Sequence, residues 1–459
     1  MDIVTKWIKV SIPHRLSFPR RSRKGRTNRT AVVTVSLPPE VLIIVIEHFQ
    51  SDLDISVDSL ASFYQTPWSF RYGPDYAAGQ LRARRSAFYQ ISLVCRSWRA
   101  ATTKLFYSHP VLLTPTELQY FRRTITEVPT LARYVTKIAI VIPESLMTST
   151  ETKVLGWKRT KVDHLARVKL DASFILRTCF NIDTLSLRQT PDVSRTFTEG
   201  FLSLGPVRDN LRKLTIHGTT YIHCLSFDAF PNLQILILKL FQFGHSVRWP
   251  NFPRLHTLKL DQTQGWPSRE PDDFLLSKEN FPSLRELHLY HNSINSGHFG
   301  HKIQEQAMQF PRVRSLHLFG PNEGEALFPL TKSGVLDQLQ HIVLGNLHSL
   351  FPAIAAWVIP ESLESLVILV SLTEFPVASP LRVLCACIGL NEARLRSGTA
   401  SLRRIIVFVF WEPGSELTSD SEESVDIRME QLRIICDSLD IQVDFHILCG
   451  YPFEYSSDI

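Results

Sequence analysis

The most regular feature of the sequence is a spaced apolar pattern that recurs from about residue 130 to the end of the chain. Each copy has an apolar residue, two others, an apolar residue, one other and a third apolar residue, as in "LRKLTI" (Leu211, Leu214, Ile216). The first residues of the ten copies are Val135, Ile182, Leu211, Leu233, Leu255, Leu284, Val313, Leu339, Leu363 and Leu402. Because the last two apolar residues are separated by one residue, the pattern predicts a short strand in every copy, with its apolar side chains on one face.

The spacing of the copies is typical of leucine-rich repeats. From Leu211 to Leu363, successive copies start 22, 22, 29, 29, 26 and 24 residues apart. Consecutive strands then lie parallel and the linking segments cover one face, so the core is complete only when the copies stack. The predicted fold class is therefore α/β, with an irregular solenoid and a parallel sheet over residues 130–448 and a tail at 449–459.

Two further features refine this solenoid. Phe-Pro opens four of the copies, and we expect these aromatic rings to stack inside the array: Phe230, Phe252, Phe281 and Phe310. The final stretch, residues 429–448, predicts a helix and then a strand that cap the array. The acidic, Ser-rich segment before it, residues 412–426, is interpreted as a solvated loop or a phosphorylation site.

Two apolar helices are predicted before the repeats. In "SLPPEVLIIVIEHF" (36–49), Ser36 can cap a helix whose first turn accommodates Pro38 and Pro39. Its apolar residues run almost all round, which predicts burial on two sides. In "AFYQISLVCRSWRAATTKLFY" (87–107), apolar residues recur at steps of three and four, so we predict a second helix or a close pair. Residues 50–87 have no clear period and are expected to form an irregular insertion.

These two segments together resemble an F-box, and an F-box followed by degenerate leucine-rich repeats resembles a large set of fungal F-box proteins. The resemblance covers residues 37–49 and 89–109 and implies a small helical F-box module at 36–113. It also implies that the module docks on a Skp-type adaptor, and through it on a cullin, in a cullin-RING (SCF-type) ubiquitin ligase. The matching positions are Leu37, Pro38, Glu40, Ile43, Ile44, Leu93, Val94, Cys95 and Trp98.

One departure from the F-box pattern concerns the distance between its two blocks. The family has a short connection there, whereas 43 residues lie between Phe49 and Leu93 in this chain. The extra residues either loop out, since each doubling of loop length costs only about 0.6 kcal/mol, or they weaken docking. The predicted function is a substrate-recognition subunit, and the alternative is a leucine-rich-repeat scaffold with no ubiquitin-ligase role.

Charge is distributed unevenly along the chain. Residues 1–35 hold nine Lys or Arg and one acid, which leaves 41 bases and 43 acids of the chain's 50 and 44 for the other residues. We predict a disordered basic arm that is either a nuclear-import signal or a solvated tail. Because the body is close to neutral, we expect no nucleic-acid partner. The absence of a long apolar run predicts no membrane partner and a cytoplasmic or nuclear location.

No catalytic motif is recognisable, so we expect neither an enzyme nor a catalytic residue, and no cofactor or metal. The seven Cys are scattered and odd in number, which is typical of thiols in a reducing compartment. The context "VLCACIGL" favours packing over metal binding for Cys385 and Cys387. In repeat register, His288 and His317 occupy the same position of consecutive strands, about 5 Å apart. They form either a polar ladder or a metal pair for which no third ligand emerges.

The non-apolar strand positions predict a concave face that binds partners. Its most anchor-like patch consists of Glu286, His288, Tyr290, Ser315, His317 and Phe319. Aromatic rings and imidazoles among mixed charges suit an unknown protein substrate better than a phosphate backbone. Two alternatives are a sheet face that is merely soluble and aromatic rings that are covered by the chain's own C-terminal segment.

Overall fold

The computed structural model describes residues 92–93, 96–141, 161–188, 205–222, 230–243, 251–261, 278–290, 313–319, 338–345, 357–371, 378–411 and 419–449. The strands within these stretches are β1 (Val111–Leu112), β2 (Lys137–Val141), β3 (Thr184–Arg188), β4 (Lys213–Ile222), β5 (Ile235–Phe243), β6 (Thr257–Asp261), β7 (Glu286–Tyr290), β8 (Ser315–Phe319), β9 (His341–Leu344), β10 (Ser365–Ser371), β11 (Arg404–Trp411) and β12 (Gln442–Cys449). The helices are α1 (Arg96–Ser108), α2 (Pro115–Glu127), a 3-10 helix (Pro129–Tyr134), α3 (Lys161–Thr178), α4 (Gly205–Asn210), α5 (Ala378–Leu390), α6 (Glu392–Arg396) and α7 (Ser419–Asp437).

All twelve strands belong to one parallel sheet in which the spatial order equals the chain order, β1 to β12. The repeats align residue for residue, so that Leu287 of β7 pairs with Leu316 of β8. One irregularity lies between β4 and β5, where the register shifts between His217 and Thr220. The α/β class and the stacking of a repeated strand are thus confirmed, and the arrangement is consistent with a repeat solenoid.

The apolar pattern of the sequence forms the core of the molecule. All three apolar residues of each of the ten copies are buried in one continuous cluster. The rings of Phe252 and Phe281 stack in it with centroids 5.6 Å apart, as the Phe-Pro pattern predicts. Phe230 is buried as well, and Phe310 lies outside the described residues. This agreement follows from the strand period of two, which leaves an alternating strand only one way to bury its Leu residues.

The helices pack onto the same side of the sheet. Residues of α2, α3, α5 and α7 join the strand Leu residues in the core cluster, for example Ile125, Ile175, Leu384 and Leu432. The start of α2 is fixed locally, because the Thr114 hydroxyl accepts the Glu117 N–H and the Glu117 carboxylate accepts the Leu113 N–H. The helices and the apolar strand positions therefore share one core.

Side chains at the turns tie each repeat to the one before it. In five repeats the residue just before the first apolar position donates a hydrogen bond to a carbonyl of the preceding repeat. These bonds run from Asn181 to Arg133, from Asn210 to Phe180, from Asn232 to Asp209, from Ser283 to Pro253 and from Ser362 to Leu339. These hydrogen bonds give partners to backbone carbonyls in the turns that precede the strands.

The two ends of the array differ from the sequence-based boundaries. β1 pairs with β2, so the sheet begins at Val111, before the expected start at residue 130. The C-terminal helix and strand are present as α7 and β12, but α7 begins at Ser419. The prediction of a loop through residue 426 is therefore wrong from Ser419 onward. Acidic residues in a first helical turn interact favourably with the helix dipole, which accounts for helix in a polar segment.

The N-terminal module is described only from its second helix. α1 confirms the helical prediction for the described part of residues 87–107. The arm at 1–35, the first predicted helix and the insertion lie outside the described residues.

Candidate protein-binding surface

The side of the sheet away from the helices carries the predicted substrate-binding residues, and we call it the opposite face. It consists of the first, third and fifth residues of the strands from β2 onward, because the second and fourth residues are buried in the core. On β7 and β8 the register pairs six residues in three rows: Glu286 with Ser315, His288 with His317, and Tyr290 with Phe319. The structure thus brings all six positions onto neighbouring strands.

His288 and His317 are stacked at the centre of this patch. Their ring centroids lie 3.7 Å apart with 28° between the ring planes. Both residues are buried, with 4% and 6% of their surface exposed. The Nε2 atom of His317 also lies 3.0 Å from the Ser315 hydroxyl oxygen. The two imidazoles are therefore packed into the opposite face, and the neighbouring residues contribute more of its accessible surface than they do.

Glu286 links β7 to the preceding strand, β6. The Thr257 hydroxyl donates a 2.8 Å hydrogen bond to Glu286 Oε2, and His256 Nδ1 lies 2.8 Å from the same hydroxyl. His288 Nε2 lies 3.8 Å from Glu286 Oε2. The imidazole of His288 and the Thr257 hydroxyl lower the pKa of Glu286 to about 2. At neutral pH the patch therefore holds a fixed negative charge on β7.

The two imidazoles, unlike the Glu286 carboxylate, are uncharged because they are buried. It lowers the pKa of His288 to about 4, although Glu286 acts against this shift. It also lowers the pKa of His317, and the charge of Lys259, together with that of His288 once this ring is protonated, acts in the same direction. Both rings are therefore neutral at pH 7 and stack as flat, weakly polar surfaces.

Ser315 and His317 form part of a nucleophile–base arrangement. Ser315 and His317 are close enough for a nucleophile and its base, but His317 Nδ1 has no hydrogen-bond partner. The described residues thus lack the third group that orients the base in a Ser–His–acid arrangement. In the same described part of the chain, no three His, Cys, Asp or Glu residues lie together as metal ligands.

An apolar cluster on β9, β10 and β11 adjoins the histidine pair and was missed by the sequence analysis. It consists of Val343, Val367, Leu369, Ile406 and Phe408, and it is separate from the main core. The signal was present in the sequence. "SLVILVS" and "RIIVFVF" are apolar at consecutive positions, which indicates strands that are apolar on both faces. This part of the opposite face is therefore apolar, next to the polar patch of β7 and β8.

The buried cysteines behave as packing residues. Burial raises the pKa of the Cys387 thiol to about 12 and also raises that of Cys385. All four thiols are free, and Cys179, Cys387 and Cys436 are buried whereas Cys385 is partly buried. These thiols are protonated at neutral pH, in agreement with the packing interpretation of "VLCACIGL".

Most of the predicted adaptor-binding residues lie outside the described structure. Seven of them lie outside the described residues, namely Leu37, Pro38, Glu40, Ile43, Ile44, Val94 and Cys95. Leu93 is 66% exposed and Trp98 belongs to α1. An exposed Leu just before α1 leaves apolar surface available there.

No protein-family model matches this sequence, and no curated protein matches it either. Among the described helices, none has the length and apolar character that a membrane span requires.

Proposed function

We propose that this chain is a substrate-recognition subunit of a cullin-RING ubiquitin ligase. In this proposal the F-box-like residues dock a Skp-type adaptor, and the opposite face of the sheet binds a protein substrate. The observation that carries the binding half is the register of β7 and β8, which pairs Tyr290 with Phe319 on adjacent strands, beside two imidazoles that are themselves buried. A few large side chains such as tyrosine supply most of the energy in protein interfaces.

The adaptor half is supported by sequence and by one structural feature. "LPPEVLIIVIEHF" and "SLVCRSWRAATTKLFY" resemble the two blocks of an F-box. Leu93 in the second block is exposed, as an adaptor contact requires. The docking residues and the β7–β8 patch belong to different parts of the chain, so the two activities are separable by mutation.

The second candidate is a leucine-rich-repeat scaffold that binds partners without a ligase. The 43 residues between the two F-box blocks favour it, because they interrupt the module that would dock the adaptor. Adaptor binding therefore distinguishes the two functions.

The test is co-purification of the full chain with a Skp-type adaptor and with protein partners identified by mass spectrometry. We expect Pro38→Ala with Ile44→Asp to abolish adaptor recovery, because an aspartate cannot be buried in an apolar interface without a partner. We expect Tyr290→Ala with Phe319→Ala to release the substrate and to keep the adaptor.

Melting temperature serves as the control for both variants. Wild-type recovery of the adaptor by the first variant would contradict the F-box assignment. A large fall in the melting temperature of the second variant would mean that the rings are part of the core. An unchanged melt with lost substrate supports the proposed binding face.

A further inference from the structure

The two edges of the sheet are covered to different extents. β1 and β12 each have one neighbouring strand among the described residues. On β1 both Val111 and Leu112 are buried, so little apolar surface is accessible at the first edge. On β12 the two residues that face the core, Val443 and Phe445, are only partly buried, whereas the β11 residues with which they pair are fully buried. The core is therefore less completely covered at the β12 edge.

β12 lacks the features with which edge strands usually avoid pairing with other chains. Its 8 residues, Gln442–Cys449, include no Lys, Arg or Pro. The strand pairs with β11 residue for residue, so no bulge bends it away. Its one acid, Asp444, lies 2.7 Å from the guanidinium of Arg404, which offsets the negative charge. An edge of this kind favours the addition of another strand.

The sequence of β12 is complementary to itself in one antiparallel register. In this register Phe445 lies opposite Phe445 of a second strand. Asp444 then lies opposite His446, so that an acid meets an imidazole. On the core side, Val443 lies opposite Ile447. The two adjacent registers that keep the core sides together are less favourable, because they place Asp444 opposite Asp444 or His446 opposite His446.

The helix beside this edge contributes one charge of each sign. The guanidinium of Arg433 in α7 lies 5.2 Å from the centre of the Phe445 ring, and Glu430 lies 3.6 Å from Arg433. Both charged side chains are more than half exposed, at 53% and 61%. A two-fold axis through a pair of β12 strands places both copies of α7 on the same side of the joined sheets. Each copy then offers a cation and an anion to the other.

We propose that two copies of this chain associate through β12, by antiparallel pairing of the two strands about Phe445. The occupant is a second copy because β12 complements its own sequence, while the buried residues of β1 disfavour a head-to-tail array. The contact joins two 12-stranded sheets into one and covers Val443 and Phe445. It lies away from the β7–β8 patch and does not depend on the proposed function.

The experiment measures the mass of the purified full chain by sedimentation equilibrium over a wide range of concentration. We expect twice the mass of one chain at the upper concentrations and dissociation on dilution. His446→Asp should weaken association about tenfold or more, because two carboxylates then lie opposite each other. His446→Lys should retain association, since the lysine then lies opposite Asp444. Both variants change the same exposed residue and remove the same ring from its stack with Phe408.

His341→Asp is the control for the added charge, because His341 is also an exposed strand residue but belongs to β9. Hydrogen exchange of the wild-type chain gives a readout that needs no variant. We expect the amides of β12 to exchange more slowly at concentrations at which two copies are associated than at concentrations at which they are separate.

Four outcomes would overturn the inference. The first is a wild-type chain that has the mass of one copy at every concentration. The second is equal weakening by His446→Asp and His341→Asp, and the third is loss of association in His446→Lys, which would exclude the register. The fourth is equal protection of the β12 amides at all concentrations, which would mean that another segment of the same chain, such as residues 450–459, covers the edge. If His446→Asp does not fold, the lysine variant and hydrogen exchange decide.

Discussion

At the scale of single residues, His288 and His317 make folding sensitive to acid. In the unfolded chain each imidazole takes up a proton near its ordinary pKa of 6.5, whereas folded His288 does so only near 4. Between these values the unfolded state binds more protons, so stability falls as the pH is lowered. For His288 alone the loss reaches about 3 kcal/mol at the acid end.

The free energy of unfolding in urea at several pH values between 7.5 and 4.5 tests this expectation. We predict that His288→Gln with His317→Gln flattens the dependence on pH, whatever its effect at pH 7.5. Exposed His446→Gln, on β12, is the matched control for a histidine change outside the stacked pair. Glu286 acts in a lower window, because its pKa falls from 4.5 to about 2 and its contribution is lost as the pH falls between these values. An equal slope in the wild-type chain and the double variant would refute the assignment.

Asn391 is a second residue whose burial has a measurable consequence. Its side chain accepts the Ile359 N–H at 3.0 Å and donates to the carbonyls of Trp357 and Cys387 at 3.0 and 2.9 Å. Asn391→Ala leaves these buried groups without partners, so we predict a loss of about 3 kcal/mol in the free energy of unfolding. Asn210→Ala removes an exposed bond of the same kind to Phe180 and should cost about 1 kcal/mol or less. Equal losses in urea denaturation would show that burial is not the cause.

At the scale of elements, the stacked rings of Phe252 and Phe281 join consecutive repeats. Phe252 precedes β6 and Phe281 precedes β7, and both side chains are fully buried. Phe281→Ala leaves a cavity, and we predict that it lowers the free energy of unfolding by about 3–5 kcal/mol. Phe180→Ala changes a ring that is 43% exposed and should cost much less. A small loss for Phe281→Ala in chemical denaturation would mean that the repeats close around the gap.

The strands could be predicted closely because one physical rule fixes them. Each copy of the pattern leaves its apolar residues a single buried face, so all ten copies reach the core as expected. The opposite face was harder to predict. The polar rows of β7 and β8 follow from register, but the burial of His288 depends on its neighbours in space. α7 begins at Ser419, inside an acidic segment. Acidic side chains are favourable near a helix N-terminus, but composition alone does not reveal at which residue the helix begins.

At the scale of the whole molecule, the opposite face of the sheet changes along the array. Imidazoles and a carboxylate lie on β7 and β8, and apolar side chains lie on β9 to β11. The core beneath them is nearly uniform, because every copy contributes the same apolar positions. In the proposed function, stability and specificity therefore depend on different sets of residues. We then expect that a change at an exposed position of the opposite face alters binding without removing a strand from the core.

The strands lie in the sheet in the same order as in the chain, and this order has a consequence for folding during synthesis. Each strand from β2 to β11 pairs with the strand made just before it and with the strand made just after it. While the chain leaves the ribosome, the strand with which each new repeat pairs has already been made. Each pairing therefore closes only a short loop, which favours fast, stepwise folding. The growing edge of the sheet moves along with synthesis until β12 is added. Until then each newest strand presents an edge of parallel sheet, to other chains and to chaperones, that the next strand has yet to cover.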